Sequence, residues 1–361
     1  MRFGTGRGLV SFFFFFLASH NCGSRMTDTR VHLHLHLHGG LINAVNVNAA
    51  TTLRFALSPR MCDVEPEFPY HFTEAGSLRH RATGEPYAFC FRRDDVQATH
   101  QEHRSLCGFV TRHVHGLLDT LLRLQRVPLS RGRAAVYMSP GALQHPGTLL
   151  VLIPDLGSMR CGVWSSGCVA AEGLDKGSQI PYVRWAQRES WAVLLMDPNE
   201  GFQSPEEHVC HVWDSLVSQA AAEFVMVVAH GYGGVAFVDL LCNREQEVQR
   251  RVWAVAFVDS SHSIWHQPLS AEGCEWLAAR SRRWVLSDKP LNRLVSTLTA
   301  GLQLSAGTLC HEMAPATCME SVLRFFAESV NTNAPDTVPG VVTRRRSLRH
   351  RPGHEDEEVS P

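Results

Sequence analysis

Apolar residues recur along the chain with two different spacings, and each spacing predicts a different element. Residues 104–125 carry one apolar stripe at helical spacing, made of Cys107, Val110, Val114, Leu117, Leu118, Leu121 and Leu122. A stripe of this kind predicts an amphipathic helix that packs one face against a core. His113 and His115 lie off the stripe, so they need no functional interpretation.

Short continuous apolar runs follow, and helical segments separate them. The predicted buried strands are residues 134–138, 149–154, 192–197, 224–229, 253–258 and 284–286. The predicted helices are residues 180–187, 204–217, 233–242, 269–279 and 318–329. Buried strands that alternate with helices are typical of a parallel sheet covered on both faces. The chain is therefore predicted to form an α/β fold with a doubly wound, mostly parallel sheet.

The beginning of the chain differs from this middle part. We predict one globular domain over residues 61–330, preceded by a disordered tail at residues 1–60. An apolar run behind Arg2 and Arg7 is typical of a secretory signal peptide, but no clear small-residue cleavage site follows it, and an untranslocated leader is the alternative. Histidine then alternates with leucine, at His32, His34, His36 and His38. A low-complexity tail is favoured over a metal site for this tract, because nothing supplies a second shell.

A second tail is predicted at residues 331–361, also disordered. Its basic segment contains Arg344, Arg345, Arg346, Arg349 and Arg351, and an acidic segment follows it. Arginines clustered on an exposed tail are typical of a nuclear import signal, so the nucleus is the predicted location, with the cytoplasm as a second one. The alternatives are a solvated basic tail, and the secretory lumen if the leader is a real signal peptide.

Composition and charge narrow the classes of function. The formal net charge of −1 excludes a uniformly basic surface for wrapping nucleic acid, while a local basic patch stays open. The eleven cysteines are scattered without a Cys-x-x-Cys pair, which is typical of a reducing compartment. No stretch is long and apolar enough for a transmembrane helix. Nothing in the predicted domain indicates a metal or another cofactor.

One strand-to-helix junction carries the argument about chemistry. Residues 227–234 match the nucleophile elbow of hydrolases, with Ala229 and Gly233 as the two small residues. The nucleophile position is Gly231, so an acyl-enzyme route has no first step. The elbow residues remain candidates for ligand binding, because N–H groups at a helix start can hold an anion or a carbonyl oxygen. They are His230, Tyr232, Gly233 and Gly234. A plain glycine-rich turn is the alternative.

The other candidate residues follow the elbow in the order that a hydrolase needs, which is acid and then histidine. Asp259 and Asp288 end two successive predicted strands, and His311 lies in a loop before the last helix. Asp288 is the better positional match to the acid, and structural roles are the alternative for all three. Asp155 stands after an early strand, where its charge would oppose an oxyanion. With Gly231, it predicts a degenerate site in which no catalytic residue is assigned.

Several stretches in this order resemble the Arb2 (Argonaute-binding protein two) domain family. They are Phe68 with Gly84-Glu85-Pro86, residues 174–181, residues 197–200, residues 204–208, residues 219–223, and residues 258–262 with 265–267. The resemblance extends over residues 66–329 and is greatest to vertebrate cotranscriptional regulators of the FAM172 type, in the B paralogue. The chain departs from those relatives at Gly231, where they have serine, and in an early His-Gly that it lacks. It also lacks their long charged insertion after Glu200.

The resemblance implies an α/β-hydrolase fold and a nuclear regulator, and Gly231 with Asp155 predicts that this regulator is non-catalytic. Its implied role is small-RNA (siRNA) and Argonaute-linked heterochromatin silencing, or cotranscriptional splicing regulation. Argonaute, chromatin or splicing proteins are the implied partners, and direct nucleic-acid binding is left open. The alternatives are a small-ligand-binding pseudoenzyme and a residual hydrolase that uses Ser260, Ser261 or Cys310 as its nucleophile.

Overall fold

The computed structural model describes residues 68–89, 92–130, 133–264, 266–296 and 301–331. The chain divides into two units, Met1–Glu65 and Pro66–Pro361, and the first lies outside the described residues. The predictions for the leader, the His32–His38 tract and the arginines of residues 344–351 also fall outside them. The fold below is that of the second unit.

A nine-stranded sheet forms the centre, in the order β10-β11-β9-β8-β7-β5-β6-β4-β3. Its strands are β3 (Gln125–Pro128), β4 (Ala135–Met138), β5 (Thr148–Ile153), β6 (Ala192–Leu195), β7 (Phe224–His230), β8 (Val252–Val258), β9 (Ser281–Val285), β10 (Leu294–Ser296) and β11 (Leu302–Ser305). Pairing is parallel from β6 through β5, β7, β8 and β9 to β11. Antiparallel pairs lie at both edges. The predicted α/β fold with a mostly parallel sheet is confirmed.

Helices cover both faces of this sheet. They are α1 (Val96–Thr120), α2 (Ser166–Glu172), α3 (Leu174–Gly177), α4 (Ile180–Arg188), α5 (Pro205–Ser215), α6 (Gly233–Asn243), α7 (Glu245–Arg251), α8 (Ala271–Arg280), α9 (Ala314–Thr317) and α10 (Met319–Asn331), with 3-10 turns at Val217–Gln219 and His311–Met313. One apolar core contains Trp164, Tyr182 and Phe326. A second core contains Trp213 and Phe237. The two cores are the two buried faces of a doubly wound sheet.

Several elements differ from the sequence prediction at points where apolar periodicity is weak. Helix α1 begins at Val96 and not near residue 104, because the Asp95 carboxylate caps it by accepting a hydrogen bond from the Ala98 N–H (2.8 Å). The short strand β3 is mostly exposed and β10 is half-buried, and neither has an alternating pattern of buried and exposed residues. A separate hairpin, β1 (Tyr70–Phe72) with β2 (Leu78–His80), was likewise not predicted.

The topology places the candidate residues at one edge of the sheet. Strands β5, β7 and β8 are parallel neighbours, and Asp155, Gly231 and Asp259 follow their carboxyl ends. In open α/β sheets this edge is where ligand sites form. None of the described helices combines the length and the apolar composition that crossing a membrane needs.

Candidate functional site at the carboxyl edge of the sheet

The elbow is formed with its sharp turn intact. Gly231 follows β7 at a φ of +54°, and its N–H donates to the Val258 carbonyl at 3.1 Å. Glycine tolerates this left-handed conformation better than residues with a Cβ. Gly233 is required for packing, because a Cβ there would lie 2.7 Å from the carbonyl oxygens of Ile153 and Pro154. A Cβ at Gly234 would overlap the Ser260 side chain.

The Asp155 carboxylate occupies the space above Gly231. Its Oδ1 accepts hydrogen bonds from the N–H groups of Tyr232 (2.5 Å) and Leu156 (2.8 Å). Its Oδ2 lies 3.0 Å from His311 Nε2. A Cβ added at Gly231 would overlap the carboxyl carbon of Asp155 and lie 2.7 Å from Oδ2. The acidic side chain therefore sits where the side chain of an elbow nucleophile would be.

His311 lies between two carboxylates. Its Nδ1 is 2.6 Å from Asp259 Oδ2, and its Nε2 faces Asp155. The Asp259 backbone has a φ of +40°, a region that aspartate tolerates better than most residues, and its N–H is tied to the Trp284 carbonyl at 2.7 Å. Both ring nitrogens of the candidate base are thus engaged by acidic side chains.

Burial and charge set the protonation of this group. Burial by itself lowers the pKa of His311, but the hydrogen bonds with Asp155 and Asp259 outweigh it and raise the pKa to about 9. For Asp155, burial opposes ionisation, and the His311 hydrogen bond together with the Tyr232 N–H holds the pKa below its usual value. At neutral pH the imidazole is protonated between two carboxylates. A protonated imidazole cannot act as a general base.

The two variable elbow positions have separate roles in the packing. The His230 ring is buried and stacks on His311, with centroids 4.3 Å apart and an interplanar angle of 23°. Burial and the His311 charge lower the pKa of His230 to about 4. The Tyr232 hydroxyl donates to Glu206 Oε1 at 2.6 Å, which joins the elbow to the start of α5.

The structure corrects the choice between the two candidate acids. Asp259, and not Asp288, contacts His311, and Asp288 is exposed. Position along the chain favoured Asp288, whereas the short β9 leaves it beyond the sheet edge, in the loop that leads to β10. The positive φ at Asp259 turns its side chain into the site, and no sequence signal marks that backbone conformation.

Two of the alternative nucleophiles, Ser260 and Cys310, have environments that differ from that of the elbow. Ser260 Oγ is 2.7 Å from His262 Nδ1, and both residues are buried. Burial lowers the pKa of His262 to about 3, so it is neutral. Cys310 is exposed. In the part of the chain that the structure describes, no group of three or more acidic, histidine or cysteine side chains is arranged to hold a metal ion.

Comparison with known protein families shows which family the chain belongs to. The Arb2 domain matches residues 66–203 and 200–291. The chain belongs to the Arb2 domain family. A Gallus gallus protein named cotranscriptional regulator ARB2A homolog is 32% identical, over 78% of this chain and 84% of that protein. The human cotranscriptional regulator ARB2A is 31% identical over the same shares.

The paralogue within the Arb2 family stays a prediction. A human relative named ARB2BP is 27% identical, over 74% of this chain and 89% of that protein. Among solved structures, a histone deacetylase from Saccharomyces cerevisiae is similar at 12% identity with a TM-score of 0.47, covering 62% of this chain and 97% of that chain. The carboxylesterase CesB from Bacillus subtilis is similar at 13% identity with a TM-score of 0.27, covering 58% and 67%. Similarities of this size carry no argument about chemistry.

Proposed function

We propose that this Arb2-domain chain is a non-catalytic cotranscriptional regulator that acts in the nucleus through protein partners. Relatives with about a third of their residues in common and with most of their length matched carry the name of cotranscriptional regulator. The finer role that we propose is splicing regulation or small-RNA-linked heterochromatin silencing, with Argonaute, chromatin or splicing proteins as the partners.

The proposal that the protein is non-catalytic rests on two residues at the elbow, Gly231 and Asp155. Gly231 has no nucleophilic atom, and the Asp155 carboxylate fills that space and contacts His311 Nε2. Loss of a triad nucleophile leaves only about 10³–10⁴-fold acceleration from binding and the oxyanion donors. Here the Tyr232 N–H, one such donor, is already bound to Asp155. A substrate carbonyl at this position would meet no attacking group at residue 231, and the Tyr232 N–H would not be available to it.

A depletion and rescue experiment tests the regulatory role. Cells that express the protein are depleted of it and then rescued with the parent chain, and chromatin-associated nascent RNA is sequenced. Changed intron retention that rescue reverses supports splicing regulation, and reactivated silent repeats support heterochromatin silencing. If neither class of transcript changes, the proposed role is wrong.

A purified-protein assay tests the absence of catalysis. The parent chain and His311→Gln are compared on simple esters and on acyl-lysine peptides. We expect both to remain at the background rate. Turnover by the parent that is lost in His311→Gln contradicts the proposal and returns the alternative nucleophiles to consideration.

We propose that the arginines at 344–346, 349 and 351 form the nuclear import signal. A tagged chain in which these arginines are replaced by alanine should leave the nucleus, while the parent remains there. If the variant stays as nuclear as the parent, these residues are not the nuclear import signal. If the parent is found in the secretory lumen, the N-terminal leader decides the location.

A further inference from the structure

Three hydrogen-bond donors converge on the Asp155 carboxylate at the elbow. The Tyr232 N–H, the Leu156 N–H and His311 Nε2 lie 2.5, 2.8 and 3.0 Å from its oxygens. Two of these donors, Tyr232 and His311, belong to other elements and would keep their positions without Asp155. A main-chain N–H beside an imidazolium is a donor set suited to a carboxylate.

We propose that the elbow is a carboxylate-binding site and that Asp155 is its built-in ligand. The inference rests on the proposed non-catalytic function, and it names the ligand chemistry of that same site. An external carboxylate, such as an acidic side chain or a chain terminus, is excluded while Asp155 is in place.

The fit between Asp155 and Gly231 supports this assignment. Any side chain at Gly231 would overlap the Asp155 carboxylate. An acid at 155 and a glycine at 231 are therefore a matched pair. The Asp155 carboxylate fills the space that a nucleophilic side chain at position 231 would occupy.

Asn199 holds the loop that delivers this ligand. Its Nδ2 donates to the carbonyls of Asp155 (2.9 Å) and Met159 (3.2 Å), and its Oδ1 accepts from the Gly157 N–H (2.9 Å). These bonds fix the loop backbone at Asp155 and at two of the residues that follow it. Asn199 is a positioning residue, and Asp155 is presented in one fixed place.

Removal of the internal ligand leaves a defined set of groups. Asp259 still holds His311 Nδ1 at 2.6 Å, so the ring keeps its orientation with Nε2 toward the elbow. The Tyr232 N–H stays at the start of α6. A small anion with two oxygens, formate or acetate, has the size and charge of the group that was removed.

Chemical rescue tests the proposal. In Asp155→Gly, sodium formate at about 100 mM should raise the unfolding temperature by about 2–4 °C more than sodium chloride at equal ionic strength. Formate should also shift the NMR signals of the Tyr232 amide and the His311 ring. The matched control Asp288→Gly removes an exposed carboxylate and should respond as the parent does. The double variant Asp155→Gly, His311→Gln should lose the response.

An equal effect of formate and chloride on Asp155→Gly overturns the proposal, and so does a formate response that survives His311→Gln. If Asp155→Gly does not fold, Asp155→Asn keeps the shape and removes the charge. The pKa of His311 should then fall by at least one unit, and an unchanged pKa overturns the proposal. Failure of the regulatory or nuclear predictions would leave these binding results as they are, so the two ideas fail separately.

Discussion

His311 and His230 stack on each other, yet their pKa values move in opposite directions. The pKa of His311 is raised to about 9 and that of His230 is lowered to about 4. Burial acts in the same direction on both rings. The difference comes from the neighbours, since Asp155 and Asp259 contact His311, whereas the cationic His311 opposes a second charge on His230. Burial keeps His230 neutral, and the hydrogen bonds to Asp155 and Asp259 overcome the same effect of burial at His311.

The largest expected effect comes from a side chain at Gly231. Gly231→Ala should lower the free energy of unfolding by about 3–5 kcal/mol, because the new Cβ displaces Asp155 and breaks its buried pair with His311. The left-handed backbone adds about 1–2 kcal/mol within that total. Chemical denaturation of the purified chain measures the change.

A control separates these two causes. Gly141 has a φ of +68°, and a Cβ there meets nothing within 4 Å. Gly141→Ala should therefore cost only the backbone strain, about 1–2 kcal/mol. If both variants lose the same stability, Asp155 does not fill the space at Gly231.

The next effect concerns the acid that orients His311. Asp259→Asn should lower the pKa of His311 by about one to two units and the free energy of unfolding by about 2–3 kcal/mol, because one of its two carboxylate partners becomes neutral. Asp288→Asn is the matched control at the exposed aspartate and should change neither quantity. A larger effect of Asp288→Asn than of Asp259→Asn would mean that Asp288, which the sequence favoured, is the acid that orients His311.

The pH dependence of stability follows from the same two rings. The pKa of His311 is raised in the folded state, so its contribution is complete below its unfolded pKa of about 6.5 and is lost as the pH rises through about 9. The pKa of His230 is lowered, so its contribution is complete above about 6.5 and is lost as the pH falls toward 4. Together they predict greatest stability near pH 6.5. Denaturation midpoints at several pH values measure this, and His311→Gln should remove the decline on the alkaline side.

The smallest effect is expected at the Tyr232 side chain. Tyr232→Phe removes the hydroxyl that donates to Glu206 but leaves the main-chain N–H that binds Asp155. The free energy of unfolding should fall by about 0.5–1.5 kcal/mol. The pKa of His311 should stay the same, and a marked change in it would mean that the side chain, and not the backbone, holds Asp155.

Much of the fold followed from the spacing of apolar residues along the chain. The parallel strands β5 to β8 were predicted with ends within a few residues of those observed. The helix predicted over residues 204–217 does form, and it begins directly after Ser204, whose Oγ accepts a hydrogen bond from the Glu207 N–H at 3.2 Å. Signals of this kind depend on neighbours along the chain. The exposed strand β3 and the polar first turns of α1 have no such signal, and they were missed.

The candidate site was predictable in its location but not in its contacts. The elbow, the missing nucleophile at Gly231 and the unusual charge at Asp155 all came from local patterns. The contact between Asp155 and His311 joins residues 156 positions apart, and the choice of Asp259 depends on its positive φ. A contact between residues so far apart in the sequence cannot be predicted from the spacing of apolar residues. The φ angle of a single residue cannot be predicted from it either.

One measurement tests the central claim most directly, namely that the candidate base is a cation held between two carboxylates. Histidine ring nitrogens of the labelled chain can be followed by NMR from pH 5 to pH 10. The account predicts that His311 carries protons on both nitrogens at pH 7 and titrates near 9, while His230 stays neutral above about pH 5. A His311 ring that is neutral at pH 7 and titrates near 6.5 would contradict it.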